Sequence, residues 1–139
     1  MTRPDPVPAL SRGARGIATA FLVSGVIHLV RPQVFEPVVP RALPDARRLV
    51  LWSGVAELVC AAGLLVPRTR RVAGPASAAL LVAVLPGNVQ MAGEAVGALR
   101  ARRTPATVTR AAVMLARVPL QWPMIRWVAR AGREQRVSR

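Results

Sequence analysis

Apolar positions gather into four long stretches separated by short gaps that carry arginine and proline. The first is GIATAFLVSGVIHLV at 16–30, and the second is LVLWSGVAELVCAAGLLV at 49–66, interrupted only by Glu57. A third runs over 72–92, where Pro86 and Gly87 predict a break. The fourth, 107–128, also holds Arg110, Arg117, Gln121, Arg126, Pro119 and Pro123. About 20 apolar residues in a helix cross a hydrocarbon layer of about 30 Å, so the pattern predicts an all-α, four-transmembrane-helix bundle. For the polar fourth segment the alternative is an interfacial amphipathic helix, leaving three crossings.

The domain layout follows from these stretches. Residues 1–15, with three prolines and three arginines, are expected to be disordered or interfacial. Residues 16–129 form the membrane domain, and 130–139 form a basic tail. The first stretch has the basic flank and apolar centre of a signal sequence. It lacks a small-x-small cleavage site, and further spans follow, which favours an uncleaved first helix.

Composition strengthens the membrane reading. The chain of 139 residues is 53% hydrophobic but only 4% aromatic, and all 20 of its basic residues are arginine, as in GC-rich bacterial coding. A formal charge of +14 raises nucleic-acid binding as a class. That class is set aside, since the arginines sit in the gaps with no basic helix or aromatic stacking platform. With both termini inside, one face collects Arg3, Arg12, Arg15, Arg68, Arg70, Arg71, Arg130, Arg133, Arg136 and Arg139. The other collects Arg31, Arg41, Arg47, Arg48, Arg100, Arg102 and Arg103, and ten against seven favours cytoplasmic termini.

Polar groups inside the spans are the candidates for chemistry, because a charge at a helix centre costs about 2.5–3.5 kcal/mol on insertion scales. Nine Leu and Val residues let the second span carry Glu57. Arg117 needs a partner in the fourth, and both residues count to mid-span, so a Glu57–Arg117 ion pair is expected. Ser24 and His28 are four apart, as are Ser53 and Glu57, and Arg110, Arg117 and Gln121 form one stripe at helical spacing. Together His28, Ser53, Glu57, Asn88, Arg117 and Gln121 define a candidate pocket or proton-carrying set, to which Pro86 adds the freed carbonyl of Val82. Interhelical hydrogen bonding is the competing role for the serines, Asn88 and Gln121. One histidine and one cysteine, Cys60, offer no metal cluster and no disulfide, and no nucleophile–base pair suggests catalysis by the chain alone.

The stretches GVIHLVRPQVFEPVVPRALP, SGVAELVCAAGLLVPRTRRVAG, VLPGNVQMA and ARVPLQWPMIRW, in this order from 16 to 129, resemble the motifs of the DoxX-like family of small bacterial membrane proteins. Gly87 departs from the pattern, where a residue such as alanine is expected. The resemblance implies a four-helix protein of the bacterial inner membrane. It also implies an outer loop whose Pro32, Pro37, Pro40 and Pro44 hold Val34, Phe35, Val38 and Val39 extended over the bundle mouth, with His28 beneath. Named relatives include subunits of a thiosulfate:quinone oxidoreductase and membrane partners in oxidative-stress complexes. The resemblance therefore implies a quinone as the candidate cofactor and a redox protein as the candidate partner, beside the lipid bilayer and copies of the chain itself. Three readings stay open: a quinone-interacting accessory subunit, a scaffold whose polar core is structural, and an oligomeric small transporter or proton pathway.

Overall fold

Each helix starts and stops on local chemistry. The computed structural model describes residues 9–137, with side chains as far as Arg133. Helix α1, Arg12–Val30, begins where the Ser11 hydroxyl accepts from the Ala14 N–H at 3.2 Å, and it ends two residues before Pro32. Asp45, in the left-handed region at φ 51°, caps helix α2, Ala46–Leu65, by accepting from the Arg48 N–H. The last carbonyls of α2 are satisfied by the next turn of chain. The Thr69 hydroxyl donates to Gly63 O and Val66 O, and Arg70 Nε donates to Leu64 O at 2.8 Å.

Helix α3, Arg70–Ala101, is followed after three residues by α4, Pro105–Val137. Thr104 and Thr107 cap α4 reciprocally. The Thr104 hydroxyl accepts from the Thr107 N–H, and the Thr107 hydroxyl accepts from the Thr104 N–H, with Pro105 at the first helical position.

Several boundaries differ from the sequence expectation. Residues 1–8 of the expected disordered segment, and 138–139 of the tail, lie outside the described residues. Helix α1 already runs from Arg12, and residues 130–137, expected to be a tail, continue α4. No break occurs at Pro86–Gly87, since α3 runs through both Pro75 and Pro86 for 32 residues. The loop after α1 is not extended either. It forms two 3-10 turns, Pro32–Val34 and Glu36–Val38, because the φ fixed by proline at the start of a turn suits a 3-10 helix as well as an extended chain.

Among the described residues the fold is all-helical. Helix α1 packs on α2 and α3 on α4, with α2 on α3 and α1 on α4 joining the two pairs. Small residues set the closest approaches. A Cβ built on Gly25 would lie 2.8 Å from Gly54 O, and one on Gly74 would lie 2.6 Å from Val128 O and 2.8 Å from the Gly132 nitrogen. Such sites let helix backbones approach closely, as in membrane helix pairs. The apolar core lies towards the N-terminus of α1, around Ala14, Ile17, Phe21, Leu64, Ala73 and Val128. Large apolar side chains also point outward, with Val72 74% and Trp52 71% exposed. Helices α1, α2 and α3 are long and apolar enough to cross a membrane, which by length and composition marks a membrane protein.

Candidate functional site

The sequence-selected polar residues form two separate layers. In the first, His28 of α1 and Glu57 of α2 are both buried, and Nδ1 lies 3.2 Å from Oε2. The glycine contact builds this meeting, because Gly54, one turn before Glu57, lies against both Gly25 and the Cβ of His28. The two atoms are within ion-pair range without hydrogen-bond alignment, so Nδ1 and Oε2 are buried polar atoms without a hydrogen-bond partner. Phe35, from the loop, closes the layer with its ring centroid 4.0 Å from that of His28, edge to face.

The second layer joins α3 and α4. Asn88 Nδ2 donates to Gln121 Oε1 at 3.0 Å, and Gln121 Nε2 donates to Leu81 O. The carbonyl used is thus Leu81, one residue before the expected Val82. It lies in the turn preceding Pro86, where the proline ring disturbs the regular ladder.

The expected Glu57–Arg117 ion pair is not made. Glu57 faces His28, and the Arg117 side chain is exposed. The reason is register. Gly63 meets Ala73, so counting back along α2 places Glu57 near position 79 of α3, roughly 13 Å along the axis from Asn88. Arg117 lies one further turn beyond Gln121, towards the α3–α4 connection. The stripe Arg110, Arg117, Gln121 is likewise divided, with Gln121 buried and both arginines exposed. Ser53 is half-buried and donates to Val50 O of its own helix at 2.8 Å, so it bridges no helices by that bond.

The loop does lie on the mouth of the helices. Gln90 Nε2 reaches Pro37 O at 3.5 Å, and a Cβ on Gly87 would lie 3.3 Å from Val38 O. Alanine at 87 would therefore lift the loop by a few tenths of an ångström. Beside the loop opens a cavity of about 520 Å³, lined by Glu36, Val39, Arg41 and Leu43 with Glu94 of α3, and it does not include His28 or Glu57.

Two residues escaped the sequence reading. Ser77 is fully buried with its hydroxyl unpartnered, and only its place between alanines in an apolar run hinted at a packing position. Arg70, read as part of a charged turn, is buried and binds Leu64 O, a role signalled by an arginine just after a helix end.

No curated protein and no solved structure matches the chain. A family model described as Domain of unknown function (DUF8561) matches residues 17–132, from the first turns of α1 to the Gly132 contact near the end of α4. The match covers the helices that build both polar layers, and the chain belongs to the DUF8561 family.

Proposed function

We propose that this chain is a four-span, DoxX-like accessory subunit of a redox system in the bacterial inner membrane, and that it offers a quinone-type headgroup a hydrogen-bonding site at His28 and Glu57. The observation that carries the reading is the pair of buried, unpartnered polar atoms, His28 Nδ1 and Glu57 Oε2, beneath the ring of Phe35. Native interiors satisfy nearly all buried polar atoms, and this pair, 3.2 Å apart yet misaligned for a hydrogen bond, would be satisfied by a headgroup that enters as the Phe35 ring moves aside. A quinone headgroup presents carbonyl oxygens that accept from an imidazole N–H, and its reduced form presents hydroxyls that donate to a carboxylate. When bound it would supply the electron-carrying chemistry. The residues of this chain would orient it and hold or release protons at Nδ1 and Oε2.

A scaffold role is the second reading, favoured by a different observation. The Asn88–Gln121–Leu81 layer has its hydrogen bonds made within the protein, as interhelical connections do.

Mass spectrometry of the organic extract of mildly purified protein separates the two. A quinone near one per chain is expected in the native protein, with at least about tenfold less in Glu57→Gln at unchanged helical content. Equal quinone in both proteins, or none in either, overturns the proposal and leaves the scaffold.

A further inference from the structure

Helices α3 and α4 are 32 and 33 residues long, against 19 and 20 for α1 and α2. Gln90 is level with the loop that covers the mouth, so α3 continues about 16 Å beyond it. The α3–α4 hairpin therefore projects past the ends of the shorter pair, on the loop side.

The loop-side half of α4 carries a regular pattern. Arg103, Arg110 and Arg117 recur every seven residues, and Ala106, Val113 and Leu120 recur three residues after each. In heptad terms these are the two seam positions of a helix that lies along another helix. The positions from Ala106 on lie on one face of α4, with Arg103 just before its first turn. The face is about a quarter turn from the one that buries Ala111 and Gln121, and all six residues are exposed. Val113 is 52% and Leu120 55% exposed. Exposed apolar residues are not confined to this face, since Val108, Leu115 and Trp122 are exposed as well, but here alone they alternate with arginines at heptad spacing.

Charge selects the occupant. Three arginines at seam positions require carboxylates opposite, and a second copy of this chain is poorly supplied with them. Among the described acidic side chains, Glu36 faces Arg47, Asp45 faces Arg48, Glu57 faces His28 and Glu94 faces Gln90. We propose that the seam of α4, Arg103, Arg110 and Arg117 with Ala106, Val113 and Leu120, docks an acidic amphipathic helix of a partner protein. The proposal rests on the accessory-subunit reading and names the chemistry of the partner.

The test uses full-length protein in phosphatidylcholine nanodiscs and a labelled three-heptad peptide with leucine at one seam position and glutamate at the other. Fluorescence anisotropy should show this peptide binding at least about tenfold tighter than its lysine twin. Arg103→Glu with Arg110→Glu and Arg117→Glu should invert the preference. Val113→Ser with Leu120→Ser should weaken binding even in high salt, where exposed charges are screened. Arg68→Glu with Arg71→Glu, at the opposite end, should leave it unchanged. Equal losses from both sets of charge reversals would mean general attraction to a basic protein and overturn the proposal, as would no binding at all. Two further outcomes overturn it. Phosphatidylglycerol in the disc displacing the peptide would assign the seam to lipid headgroups, and a doubled mass abolished by the reversals would assign it to self-association. Quinone content measured on the same discs is independent of the seam, so failure here is distinct from failure of the accessory-subunit reading.

Discussion

Gly54 shows how one missing side chain places the candidate chemistry. A Cβ at this position would stand 2.6 Å from the Cβ of His28 and 3.0 Å from Gly25 O, so the α1–α2 approach that brings His28 to Glu57 depends on glycine. Gly54→Val should lower stability by about 1–3 kcal/mol, read as an earlier midpoint in detergent unfolding followed by circular dichroism. Gly16→Ala, where a Cβ meets nothing within 4 Å, should leave the midpoint unchanged or raise it slightly. A Gly54→Val midpoint equal to the native one would show that the helices separate without loss. At this scale the sequence was half legible. His28 and Glu57 stand out as costly polar residues in apolar runs. The partner of Glu57 was not readable, because it depends on helix register, and the register is set by Gly25 and Gly54 in contact rather than by counting from the ends of apolar stretches.

Proline and glutamine are coupled at the scale of the element. Pro86 stays inside a continuous α3, and Gln121 of α4 donates to Leu81 O in the turn before it. A proline in a helix interior removes one ladder bond, here the one to Val82 O, and crowds the preceding turn, where Gln121 from the neighbouring helix adds a donor to the adjacent carbonyl of Leu81. Gln121→Leu should destabilise the protein by roughly 1–2 kcal/mol, since Asn88 loses its partner together with the carbonyl. In a Pro86→Ala background the same change should cost less, because without the crowding of the proline ring the turn closes and the Leu85 N–H serves Leu81 O by itself. A double-mutant cycle by detergent unfolding measures the difference, and strictly additive effects would sever the link. Apolar patterning located all four helices but misplaced the ends of α3 and α4. It marks only the apolar part of a helix, whereas Ala95 to Ala101 and the Thr104–Pro105–Thr107 cap continue the hairpin on propensity and capping, which hydropathy does not register.

For the whole molecule, the projecting hairpin changes the basis on which the chain is oriented. Arg110 and Arg117, expected within the membrane, belong on the loop side, which then holds nine arginines against ten on the other. The bias towards cytoplasmic termini thereby shrinks to a single arginine. Orientation and span number become matters for labelling, and α4, whose length and burial against α3 require it to run beside a crossing helix, is the decisive element. In a Cys60→Ala background, single cysteines at Arg41→Cys and Arg110→Cys should react together with a membrane-impermeant maleimide in intact cells. Arg68→Cys and Arg133→Cys should react only after the cells are opened. Arg133→Cys reacting with the first pair would mean that α4 does not cross, leaving three spans. The full pattern reversed would keep four spans and turn the loop, the cavity beside it and the arginine seam to the cytoplasm, where an acidic partner helix would have to be sought among cytoplasmic proteins.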